Sequence, residues 1–218
     1  MFNFKKKEYV IIPLGYNCLP RTVLTRHGLK HKKWLGELTY PFDLAYFFIP
    51  EITKYLQNDF ADFFENWEFK QDETQSFWIK PPFQIKFFHD KTISKEKLIK
   101  KYKKRIKNFY KQMQEATPIL FVQTLIHEQN IEEVFKELKR LRGEKPFKYI
   151  VIDTLDVVKN NQNPEIDVLK LPYPSKDYEE NWWQKKYYLS EEGKKYEKDF
   201  CNFCQKGINE LLNSCKSL

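Results

Sequence analysis

Four cysteines and four histidines occur among 218 residues, and their settings decide which of them could do chemistry. Cys18 lies in LGYNCLPRTVL, between a short apolar run and the opening of a helix. A thiol attacks a carbonyl as thiolate, and the free N–H groups and positive dipole end of a helix favour that anion. Gly15 leads a tight turn that would expose the sulfur above the strand end, and Asn17 or Cys18 itself is placed to cap the helix. The alternative is that Cys18 is a small buried hydrophobe, a common fate of free cysteine. A nucleophilic cysteine also needs a base. His89 ends the aromatic stretch IKFFHD, and Asp90 beside it could orient a ring or cap the next turn. His127 follows the apolar run ILFVQTLI and is a second candidate. His27 and His31 flank Gly28 in a basic loop, where His27 at a helix C-terminus has a local electrostatic role.

These candidates depend on the elements that carry them. EYVIIPLG, residues 8 to 15, reads as a strand ending at Gly15; CLPRTVLTRHGLK reads as a short helix with Pro20 in its first turn and Gly28 just past its end. After a loop, Asp43 stands at or near the start of a helical pattern that breaks at Pro50. SFWIKPPFQIKFFHD reads as two short strands or extended segments that end at His89 and Asp90. Residues 93 to 116 predict a helix with Ser94 as N-cap and Leu98, Tyr102, Ile106, Phe109 and Met113 on its apolar face. Residues 117 to 154 predict a strand, an amphipathic helix closed by Gly143 and a second strand, a βαβ unit whose strands run parallel.

The expected fold class is therefore α/β, three-layered, with a mainly parallel sheet and flanking helices. A single domain over residues 1 to 218 is expected, with the chemically suggestive motifs in 9 to 125. A C-terminal loop and helix, 157 to 218, would pack on it, with a short strand near 166 to 171 and a last helix over 190 to 215. In open parallel sheets, sites gather beyond the carboxyl ends of the strands, which groups Gly15 to Cys18 with the regions of His127 and Asp153 on one rim.

Several blocks in register resemble a known family. IIPLGYNCLPRTVLTRHGLK, YPFDLAYF, FADFFE, FFHD, the basic helix KYKKRIKNFYKQM and PILFVQ are similar, over about residues 9 to 125, to a bacterial family of papain-like cysteine peptidases. The family pattern reads SLG, two residues, Cys; then PFDW; then HD; then a helix with paired Arg; then LFVR. Gly15, Cys18, Pro41, Phe42, Asp43, His89, Asp90 and Arg105 match it, while Leu44 stands where the family usually has Trp. The resemblance implies Cys18 as nucleophile, His89 as base, Asp43 or Asp90 as the carboxylate orienting the ring, and Arg105 as a residue pointing into the site.

The remaining features bound the function. Hydrophobic residues make up 41% and aromatics 17%, enough for a sizeable core. The formal charge of +8 is a mild excess, not a polycationic tail, and the lysines of residues 97 to 113 read as a solvated helix face, so nucleic acid is not an expected partner. No run approaches a bilayer span and no apolar signal core follows the N-terminus, so a cytoplasmic protein with reduced thiols is expected. Cys201 and Cys204 have CxxC spacing, but a structural zinc takes four ligands and only Cys215 lies near; no metal or cofactor is expected. The expected activity is hydrolysis or acyl transfer by a Cys-His pair on a small-molecule or peptide-like acyl substrate. The alternative is a non-catalytic binding protein serving surface-polysaccharide assembly.

Overall fold

The computed structural model describes residues 8–32, 36–47, 49–71, 76–81, 85–90, 93–125, 130–158 and 161–216. A four-stranded parallel sheet forms the centre, in the order β1 (Val10–Gly15), β5 (Ile119–Leu125), β6 (Phe147–Asp153), β7 (Ile166–Lys170). Register runs from Val10 opposite Ile119 to Gly15 opposite Thr124, and from Ile119 opposite Phe147 to Leu125 opposite Asp153. Pro13, which has no N–H to give, lies in edge strand β1, where donors are needed on one side only. β5 is buried at every position, because helices cover both faces of the sheet.

Alternation along the strands splits the core in two. Ile12, Leu14, Phe121, Tyr149 and Val151 face α2 (Ile49–Gln57), α3 (Lys95–Gln114) and α4 (Ile131–Arg142), where they meet Leu56, Tyr102, Phe109 and Leu138. Ile11, Leu120, Val122, Ile150 and Ile152 face α1 (Leu19–Arg26) and α7 (Glu191–Lys216), meeting Val23, Phe200, Cys204 and Ile208. The result is the expected three-layer α/β arrangement. α4 joins β5 to β6, with Asn130 accepting from the Glu133 amide at its start and Gly143 at its end. Arg142 is fully buried and donates to the carbonyls of Gln112, Met113, Glu115, Thr117 and Pro146, pinning the end of α3 to the start of β5.

Between α1 and α3 lies a second unit. A 3-10 turn, Pro41–Leu44, leads to α2, and Pro50 sits in the first turn of α2, so the break read from the sequence falls before that helix. β2 (Glu68–Gln71), β3 (Ser76–Lys80) and β4 (Ile85–Phe87) form an antiparallel meander, followed by a 3-10 turn, Phe88–Asp90. β2 was not expected from the sequence, and all four of its residues are exposed. In the C-terminal part, β7 adds the fourth strand, α5 (Lys176–Asn181) and α6 (Lys185–Tyr188) follow, and α7 covers the α1 side of the sheet. Among the described residues no helix is long and apolar enough to cross a membrane.

Candidate functional site

β1 ends at Gly15 against the following turn: a Cβ there would lie 2.2 Å from the Asn17 carbonyl oxygen, so only glycine fits. Asn17 is buried and its Oδ1 accepts from the Leu19 amide at 2.9 Å, capping α1 one residue ahead of the N-cap position held by Cys18. Cys18 thus stands at the carboxyl edge of the sheet and at a helix start, both expected. Its sulfur lies 3.3 Å from Nε2 of His89, a residue 71 positions away in the chain.

His89 comes from the 3-10 turn that follows β4. The residue is exposed, yet packing around the ring disfavours the imidazolium. Burial lowers the His89 pKa; Asp90 raises it, and Arg105 and Lys101 push it down again. Burial also acts on the partner, pushing the Cys18 thiol up to about 11, against its own backbone amide and the Thr22 hydroxyl, which favour the thiolate. The donors at the helix start are outweighed by desolvation. Both shifts favour the uncharged forms, a thiol beside a neutral imidazole.

Neither carboxylate singled out from the sequence bonds the His89 ring, and the reason is that each is buried against cations. Asp43 is fully buried; its Oδ2 takes Arg21 Nη1 at 2.8 Å and the Tyr40 amide at 3.2 Å. Burial pushes the Asp43 carboxyl up, opposed by Lys30 and Arg21. Since Arg21 lies on α1, this pair ties the PFD turn to the helix that begins at Cys18. Asp90 is buried too, ion-paired to Lys101 through Oδ1, with Arg105 Nη1 3.9 Å from its Oδ2. Arg105 is buried with its guanidinium 4.5 Å from the centre of the Tyr102 ring. It therefore faces Asp90 inside the protein and supports the turn that carries His89. His127 lies outside the described residues.

Three further residues support the elements that carry the pair without having been singled out. Arg21 is the partner of Asp43. Tyr46 stacks edge-to-face between Tyr16 and Phe88, with ring centroids 5.1 and 5.2 Å away. The Tyr173 hydroxyl sits against Asn17 and Thr154, whose side chains favour its ionised form. No period of the sequence links Tyr46 to Tyr16 or Phe88, 30 and 42 residues away, and Tyr173, far along the chain, had no signal either.

Cys201 and Cys204 are buried on α7 against the sheet, where burial raises both thiols, Cys201 to about 12. They serve the core. Among the described residues no three His, Cys, Asp or Glu side chains are grouped to hold a metal ion.

Comparison with known proteins adds one decisive match. A family model described as "putative papain-like cysteine peptidase" matches residues 9–145. The chain belongs to this family. No curated protein and no solved structure matches it. The matched segment runs from β1 to just past the end of α4 and contains Cys18, Asp43, His89, Asp90 and Arg105. Tyr173, β7 and α7 lie beyond it.

Proposed function

We propose that the protein is a cysteine-dependent hydrolase or acyltransferase acting on small-molecule or peptide-like acyl compounds, with Cys18 as nucleophile and His89 as its general base. The observation that carries this reading is the 3.3 Å approach of the sulfur and Nε2 across 71 residues of chain. Because the thiol is pushed up to about 11 and the imidazole pKa is lowered, the pair works by general-base transfer, not as a preformed ion pair. As the sulfur attacks the acyl carbonyl carbon, its proton passes to His89, and the C–S bond forms while the carbonyl π pair moves onto oxygen. The Cys18 amide at the helix start favours that developing negative charge. Collapse expels the leaving group, which takes the proton back from His89, and leaves an acyl-thioester on Cys18. Water or an amine then resolves the thioester, with His89 accepting the acceptor's proton and returning it to the sulfur.

Asp90 and Arg105 act through the turn that holds His89, and Asp43 acts through Arg21 and the helix that holds Cys18. These are positioning roles. The test is the rate of Cys18 alkylation by iodoacetamide between pH 5 and 10, wild type against His89→Ala. The wild-type rate should fall on acidification through the His89 pKa, below the ordinary imidazole value, and the variant should lose about 100-fold at pH 7. Equal rates at pH 7, both rising only as the buried thiol ionises, would overturn the enzymatic reading in favour of a non-catalytic binding protein.

A further inference from the structure

We propose that Tyr46 is a positioning residue that sets the separation between the Cys18 sulfur and the His89 imidazole, an inference that rests on the pair acting as described above. The two groups belong to different sheets: Cys18 follows β1 of the parallel sheet, and His89 follows β4 of the antiparallel one. The segment at Tyr46 and Phe47 runs between them and is tied to both. On the sulfur side, the Phe47 amide donates to the Tyr16 carbonyl at 3.3 Å. On the imidazole side, the Tyr46 amide donates to the Lys86 carbonyl at 3.0 Å and the Lys86 amide returns to Tyr46 at 3.4 Å, extending the antiparallel sheet by one bridge.

The ring repeats what the backbone does. Tyr46 meets Tyr16 at 5.1 Å with the planes at 74°, and meets Phe88 at 5.2 Å with the planes at 83°. Tyr16 is two residues before Cys18, and Phe88 is the residue before His89. Phe88 is backed in turn by Phe77, 4.9 Å away. One flat ring thus stands edge-to-face between the residues that flank the nucleophile and the base, and its width sets how closely they approach. At a sulfur-to-nitrogen distance of 3.3 Å, there is little slack before the hydrogen bond is lost, and a misplacement of about 1 Å costs proton transfer heavily. The hydroxyl is not needed for this role. Burial, then Cys18 and Tyr16, push it up to about 12, so it stays protonated at neutral pH.

The experiment is iodoacetamide alkylation of Cys18 in the full chain, for Tyr46→Phe and Tyr46→Ala, each with and without His89→Ala, alongside thermal unfolding. Tyr46→Phe should keep the His89-dependent acceleration at pH 7 within about twofold, because the ring remains. Tyr46→Ala should reduce it by about tenfold or more, and adding His89→Ala should then change little. If the alanine variant does not fold, Tyr46→Leu fills most of the volume without a flat ring and should show the same loss. Acceleration that survives Tyr46→Ala, or Tyr46→Leu where that variant is used, overturns the inference alone. Loss in Tyr46→Phe as deep as in Tyr46→Ala also overturns it, because the hydroxyl would then carry the effect. Absence of any His89 dependence in the wild type overturns the general-base reading and this inference with it.

Discussion

The nucleophile and the base are held by two different kinds of structure. Cys18 is placed by contacts a few residues away: the close approach at Gly15, the Asn17 cap on Leu19, and the first turn of α1, closed by the Thr22 amide on the Cys18 carbonyl. Beneath it, β1 and α1 are packed into the core through Ile11, Leu19 and Val23. His89 follows a three-residue strand, and its turn is anchored by a buried carboxylate, Asp90, whose cations come from α3. Local sterics place the sulfur; long-range charge and aromatic contacts place the ring. A local arrangement survives the loss of any distant partner, whereas a charge-held turn depends on both members of each pair. The His89 side should therefore be the more fragile half.

That contrast is testable first where the effect is greatest. Asp90→Ala strips Lys101 and buried Arg105 of their shared carboxylate, and an uncompensated buried charge costs about 3–5 kcal/mol, read as a lowered urea midpoint. Asp90→Asn, where folded, also removes a nearby charge that raises the His89 pKa. The acid limb of Cys18 alkylation should then move to lower pH, since the neutral base persists further into acid. A limb that moves upward, or stability held within about 0.5 kcal/mol of wild type, would mean that charge does not anchor the turn.

The local half breaks by a different route. Gly15→Ala forces a Cβ to within 2.2 Å of the Asn17 carbonyl oxygen, so the turn must move, at about 1–3 kcal/mol. Because that turn aims the sulfur, Cys18 alkylation should lose its His89 dependence even at temperatures where circular dichroism shows the chain folded. Retained dependence would show that the glycine is not what aims Cys18.

The same division explains what was legible in the sequence. The βαβ unit and α3 were readable because their apolar spacing is long and regular: the helix expected over 93 to 116 is observed as Lys95–Gln114 with Ser94 accepting from the Lys97 amide. Gly15, Cys18 and Pro20 were readable as strand end, turn and helix start, because their constraints act within a few residues. His89 as the partner of Cys18 came from a resemblance of several blocks, not from periodicity, since nothing local links two residues 71 apart. The ion pairs of the two carboxylates were not legible for the same reason. Asp43 sits 22 residues from Arg21, and Asp90 sits 11 from Lys101, separations at which no helix or strand period predicts contact. β2, four exposed residues reading EFKQ, has no apolar alternation to betray a strand.

A smaller effect should separate the cap from the rest of the local half. Asn17→Ala removes the acceptor for the Leu19 amide, a loss of about 1 kcal/mol in unfolding free energy. Asn17→Ser, a shorter side chain able to cap, should recover about half of it. If alanine and serine destabilise equally, Asn17 contributes through its packing beside Tyr173 and not through the cap.

The smallest expected effect concerns a contact that reaches this local half from beyond residue 145. Tyr173 lies outside the matched segment of residues 9–145, and its hydroxyl rests against Asn17 and Thr154. Tyr173→Phe keeps the ring, and with it the stacking on Tyr196 at 5.6 Å, and deletes only the polar contact. A neutral contact of this kind contributes about 0.5–1.5 kcal/mol, and the lower end is expected because Asn17 Oδ1 keeps its bond to Leu19. Cys18 alkylation at pH 7 should stay within about twofold of wild type, since the cap and Gly15 still fix the turn. If the rate instead falls as far as in His89→Ala, placement of the sulfur is not local, and the contrast between the two halves of the site is lost.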